Sequence, residues 1–149
     1  MYKTILVPLD GSSRAERILA HVEDMALHYN STVVLLQVVS PIIPMMDPDG
    51  FLLELGIDEI NARVKEAESY LGDMKNRLKQ KKIHARTIVD QGAVVEVIIH
   101  TARKEHIDLI AMASHGRGGL SRVFYGSVAA GVLQHVDRPL LLIRSRDKA

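Results

Sequence analysis

Short runs of β-branched and leucine residues alternate along this chain with longer segments whose apolar residues recur every three or four positions, and that alternation restricts the fold more than any other feature. Four runs stand out, at residues 4–9, 32–39, 109–113 and 140–143, each bounded by turn residues. Strands that lack polar alternation are buried on both faces, as in a parallel sheet covered by helices. A weaker fifth run, residues 85–89, fits a place nearer a sheet edge.

The intervening segments read as helices. Ala15, Ile18, Leu19, Val22, Met25, Ala26 and Tyr29 form one apolar stripe, and Ser13 with Glu16 predicts a capping box at its start. Ile57, Ile60, Val64, Ala67, Leu71, Met74 and Leu78 predict a long amphipathic helix ending in Lys79, Gln80, Lys81 and Lys82. Cations there suit the negative end of the helix dipole and need no nucleic acid to explain them. Residues 94–99 are mostly β-branched, which favours a strand on propensity. Two parallel strands, however, need a crossover between them, usually a helix, and Val94, Val95, Ile98 and Ala102 share one helical face. A helix is predicted there, and another over residues 126–135 before Pro139 opens the last strand.

The order β-α-β-α-β-α-β-α-β predicts an α/β fold: a single-domain, doubly wound, five-stranded parallel sheet with helices on both faces and strand order 3-2-1-4-5. At 149 residues the chain has the length of one domain, residues 1–149. Residues 40–56 hold Pro41, Pro44 and Pro48 and show no period, which predicts a long irregular loop leaving strand 2, placed to act as a lid.

Charge and composition exclude several roles. Nineteen basic and eighteen acidic residues leave a net charge of +1, so no overall field attracts nucleic acid or an acidic membrane. The absence of cysteine removes disulfides, thiolate nucleophiles and sulfur-ligated metals. The apolar run at the N-terminus is too short for a signal peptide or a membrane span, and the expected compartment is the cytoplasm.

In open α/β sheets, ligands bind beyond the carboxyl ends of the strands, where the strand order reverses. That rule points to Asp10, Gly11, Ser12 and Ser13 after strand 1, and to the segment from Met112 through Ala113, Ser114, His115, Gly116 and Arg117 to Gly118 and Gly119 after strand 4. Glycines let backbone amides approach an anion, and Gly126 with Ser127 adds the N–H groups of a helix N-terminus. Arg117 can close such a site with a charge-assisted contact. The same residues also suit a flexible loop and an ordinary helix cap, and Asp10 also suits a capping carboxylate. His115 has no second histidine or carboxylate at metal-ligand spacing and reads as a loop histidine beside phosphate. His21, His28, His84, His100, His106 and His135 are given no role. There is no Walker lysine pattern and no acid in the glycine loop to orient a water, so no catalytic residue is expected.

Asp10, the run Met112-Ala113-Ser114-His115-Gly116, and, after nine intervening residues, Gly126-Ser127-Val128 resemble the ATP-binding branch of the universal stress protein family. The resemblance runs from Val7 and Pro8 to Leu142 and Ile143. One position departs: the first glycine of the family pattern is Ala113 here. The resemblance implies a Rossmann-like fold of the adenine nucleotide alpha hydrolase type. It also implies that Pro8 and Asp10 lie at the ribose or adenine, that Val38 lines the adenine pocket, and that Met112 and Ala113 border the nucleotide. His115, Gly116, Arg117, Gly126, Ser127 and Val128 would then surround the phosphates. Magnesium or manganese would arrive with the nucleotide, with Asp10 as the nearby carboxylate.

The expected function is an ATP-binding, nucleotide-responsive stress protein that takes ATP, ADP or AMP. A slow ATPase or nucleotidyl transferase using the same pocket is the first alternative, and a dimeric stress protein that binds no nucleotide is the second. The last strand, from Pro139 to Arg144, would present an apolar edge if left unpaired, which together with the resemblance predicts a homodimer through it.

Overall fold

The computed structural model describes residues 1–46, 48–114 and 126–144, and for residues 42–46 and 52–54 the backbone alone. The elements in chain order are β1 (Thr4–Pro8), α1 (Ser13–Glu16), α2 (Ile18–Tyr29), β2 (Thr32–Val39), β3 (Ile42–Met46), β4 (Leu52–Glu54), α3 (Ile57–Gln80), β5 (His84–Gln91), α4 (Val94–Lys104), β6 (Leu109–Ala113), α5 (Ser127–His135) and β7 (Leu140–Ile143). Five strands form one parallel sheet in the order β5-β2-β1-β6-β7. Numbered among themselves they run 3-2-1-4-5, the expected order, with the weakest predicted strand at one edge.

The apolar strands divide their side chains between two helical layers. Ile5, Val7, Leu9, Val33, Leu35 and Ala111 pack with Ile18 and Val22 of α2 and Leu71 and Leu78 of α3. Leu6, Val34, Leu36, Ile110 and Met112 pack on the other face with Ile98 and Ala102 of α4 and Ala129 and Val132 of α5. Each fully buried leucine or isoleucine in these layers contributes about 1.5–3 kcal/mol. The segment at residues 94–99 is helical, as the crossover argument requires, and its partner helix fits closely. A Cβ placed on Gly131 would stand 2.7 Å from Val95 Cγ2, so α4 and α5 approach at a distance only glycine allows.

Two expectations need correction. The helix after β1 is capped by Ser12, whose Oγ accepts the Ala15 N–H at 3.1 Å, and Ser13 is already helical. The chain turns one residue early because Gly11 takes a φ of +85° and the Asp10 carboxylate accepts the Ser12 N–H at 2.9 Å. Glu16 therefore forms no capping box and reaches toward Arg77, 3.5 Å away. Residues 40–56 are also not wholly irregular: β3 and β4 pair antiparallel, Ile42 with Glu54 and Met46 with Leu52, and the Leu55 N–H closes the base on the Pro41 carbonyl at 2.8 Å. Both strands of a two-stranded ribbon are edges, which is where a proline such as Pro44 is tolerated.

At the amino end of the sheet, Asp108 accepts the backbone N–H groups of Lys3 and Thr4 at 2.9 and 3.0 Å. Desolvation would raise its pKa, but these bonds, the Thr4 hydroxyl and the Lys3 charge together hold it below the ordinary aspartate value. Among the described residues no helix is long and apolar enough to cross a membrane.

Candidate functional site

The strand order reverses between β1 and β6, and the described residues among those singled out from the sequence lie at the carboxyl rim of that reversal. Pro8 pairs with Leu36, and the ladder continues one residue further through the Leu9 N–H and the Leu36 carbonyl at 2.8 Å. Asp10 thus leaves β1 at the level of Val38, one residue before the end of β2, and β6 enters the same rim through Met112 and Ala113. Val38 is half-buried and Met112 is buried, both within the apolar layer under α4 and α5. Ala113 is buried too. By the alternation of a strand its methyl shares the face of Leu109 and Ala111, on the side of α1 and α2.

Asp10 is half-buried and its Oδ1 is held by the Ser12 N–H, which fixes the carboxylate relative to α1. Ser114, fully buried, donates its N–H to the Ile143 carbonyl at 2.8 Å and accepts the Gly126 N–H on its own carbonyl. Ser114 and Gly126 therefore meet at the end of β6, where α5 starts. His115, Gly116 and Arg117 lie outside the described residues.

Gly126 is the N-cap of α5 and makes no side-chain cap. Its own N–H is spent on Ser114, so it anchors the helix start. The first-turn amides of Ser127 and Val128 have no acceptor within the helix, as at any helix N-terminus, and they carry the positive end of its dipole. Ser127 is exposed, while Val128 is half-buried against the same apolar layer as Val38. The arrangement offers a carboxylate, an apolar wall and a set of N–H donors on one rim. A groove of about 730 Å³ between α4 and α5, lined by Val94, Val95, Ile99 and Gly131, opens at Ser127 and Val128.

Sequence reading missed two buried polar groups. Among the described residues, Tyr70 Oη and Gln37 Oε1 are buried without a hydrogen-bond partner, and Glu16 lies 3.5 Å from Arg77. Tyr70 borders the apolar stripe of α3, where an aromatic residue ordinarily means core. Its hydroxyl was the only signal, since a buried phenol needs a partner. Among the described residues no three histidine or carboxylate groups gather as a metal site.

The chain is similar to known proteins over nearly its whole length. Residues 1–144 match the model of the universal stress protein family. Universal stress protein MJ0577 of Methanocaldococcus jannaschii is 31% identical, with 99% of this chain and 98% of that protein aligned. The solved structure of MJ0577 superposes with a TM-score of 0.83, covering 99% of both chains. Two more distant structures share the fold. A universal stress protein in complex with cAMP aligns at 18% identity, TM-score 0.70, over 97% of this chain and 98% of that one. An Arabidopsis thaliana family member with AMP bound aligns at 15% identity, TM-score 0.68, over 97% and 92%.

Proposed function

The chain belongs to the universal stress protein family, and from that premise we propose that it binds ATP, or the related nucleotides ADP and AMP, and acts as a nucleotide-responsive stress or regulatory protein rather than a fast enzyme. One observation carries the reading: Asp10 and the N-terminus of α5 are brought to the same rim, where the strand order reverses. The family members solved with cAMP and with AMP support an adenine nucleotide as the ligand class.

In this reading Asp10 and Pro8 meet the ribose, and Val38 with Met112 forms the apolar wall against which the adenine lies. Ala113 borders the sugar with its methyl turned toward α1. His115, Gly116 and Arg117 join Ser127 and Val128 at the phosphates, the last two through helix N-terminal N–H groups. Gly126 holds the helix start in place. Magnesium or manganese comes with the nucleotide, held chiefly by its phosphates, with Asp10 as the protein carboxylate in reach. The β3–β4 hairpin leaves β2 next to the adenine wall and serves as a lid. The 149 residues act as one domain, in the cytoplasm, as a homodimer joined through β7.

Mass spectrometry of small molecules released by heating the purified protein tests the ligand class. Recovery of an adenine nucleotide in stoichiometric amount is expected. Release of none, together with no uptake from millimolar ATP, would end the proposal. Nucleotide turnover lost in Asp10→Ala would instead favour a slow enzyme in the same pocket.

A further inference from the structure

Two aspartates in this chain are followed directly by glycine, Asp10 by Gly11 and Asp49 by Gly50. Such a pair carries its own reaction. The glycine amide nitrogen attacks the aspartate Cγ, a C–N bond forms, the Cγ–O bond breaks, and the carboxyl hydroxyl leaves as water with the amide proton, closing a cyclic imide. Water then reopens the ring at either carbonyl. Opening at Cγ restores aspartate, whereas opening at the main-chain carbonyl leaves isoaspartate, with Cβ now part of the backbone. The sequence consumes no oxidant or metal, and glycine favours it because no Cβ shields the attacking nitrogen.

The fold treats the two pairs differently. Their glycines are nearly alike, with φ of +85° at Gly11 and +90° at Gly50 and open space where a Cβ would stand. Their aspartates are not. Asp10 is half-buried, and its Oδ1 accepts the Ser12 N–H at 2.9 Å. On one side the Leu9 N–H ties the chain to the Leu36 carbonyl at 2.8 Å, and on the other Ser12 caps α1. Turning the Asp10 carboxyl onto the Gly11 nitrogen would break its bond to Ser12 and disturb both anchors. Asp49 instead lies at the tip of the β3–β4 hairpin, beyond the Met46–Leu52 pair, in a run from Pro48 to Phe51 that is exposed throughout. A two-stranded ribbon is only marginally stable, and exposed loop tips open at little cost.

We infer that Asp49 is a site of spontaneous modification, isomerising to isoaspartate in the folded protein, and that the turn into α1 protects Asp10 from the same reaction. The added backbone atom and the displaced carboxylate fall on the hairpin tip, so the modification accumulates there with the age of the molecule. The chemistry does not depend on the nucleotide reading. Under that reading it alters the lid and spares the ribose contact.

The test is incubation of the folded protein for weeks near neutral pH in water enriched in heavy oxygen, followed by peptide mapping. Each ring opening places one heavy oxygen in the residue, and fragmentation separates isoaspartate from aspartate. The peptide holding Asp49 should gain label and isoaspartate at least about tenfold faster than the peptide holding Asp10. In guanidinium chloride, where neither turn persists, the two should react at comparable rates. Asp49→Glu, whose longer side chain closes a ring far more slowly, should remove the reaction from the hairpin peptide and leave the Asp10 peptide unchanged. Equal rates in the folded protein, a faster reaction at Asp10, or an Asp49 that reacts only when unfolded overturns the inference. A rate difference that persists in full in denaturant assigns the discrimination to flanking sequence and overturns the protection by the fold.

Discussion

Single residues close both ends of the central strand. Asp10 leaves its carboxyl end, and Asp108 caps its amino end by accepting from Lys3 and Thr4. The folded pKa of Asp108 lies below the ordinary value of 3.8, so its stabilisation is complete above that value and is lost as pH falls through the folded pKa. In urea unfolding, Asp108→Asn should therefore be less stable than wild type near neutrality, and the two should converge in acid. A difference that does not vary with pH would contradict the assignment. Gly131 makes a steric demand instead, since its Cβ would press on Val95, a short β-branched side chain with little room to turn. Gly131→Ala gains up to about 1 kcal/mol of helix propensity but adds overpacking of about 1–3 kcal/mol, for a net loss of roughly 1 kcal/mol in unfolding free energy, seen as a lower urea midpoint. Val95→Ala in the same chain should recover part of it. A more stable Gly131→Ala protein would show that α4 and α5 separate freely.

At the scale of elements, the cap of α1 gives a direct comparison. Ser12→Ala removes the hydroxyl that accepts the Ala15 N–H and should cost about 1 kcal/mol, whereas Ser13→Ala should be nearly neutral. Equal losses would mean the turn at Gly11 does not set the start of the helix. The sequence pointed to the wrong serine because the pattern of a serine followed by Glu16 is local, while the cap is decided by the positive φ at Gly11 and by Asp10. Where apolar period and chain connectivity agreed, the reading held. The strands over Thr32–Val39, Leu109–Ala113 and Leu140–Ile143 are legible as apolar runs, and α4 is legible only because two parallel strands demand a crossover. The β3–β4 hairpin was hidden by its prolines, which break the strand pattern yet cost a two-stranded ribbon little. The Glu16–Arg77 ion pair was likewise hidden, since it joins α1 to α3 and no spacing within either helix records it.

For the molecule as a whole, the sheet ends in β7, an edge strand of Leu140, Leu141, Leu142 and Ile143 in which every residue keeps partial exposure. Pairing with the same strand of a second chain would cover that edge. Sedimentation at micromolar concentration should give a dimer for the wild type and a shift toward monomer for Leu141→Lys, and a wild-type monomer would remove β7 as an interface. The site reading depends equally on the whole fold, because Asp10 and Ser127 are far apart in sequence and come to one rim only where the strand order reverses. Isothermal titration with ATP, run on the wild type and on Asp10→Ala, tests that reading most directly. One site per chain is expected in the wild type, with affinity at least about tenfold weaker in Asp10→Ala. Absence of binding at millimolar ATP, or equal affinity in the two proteins, would contradict it.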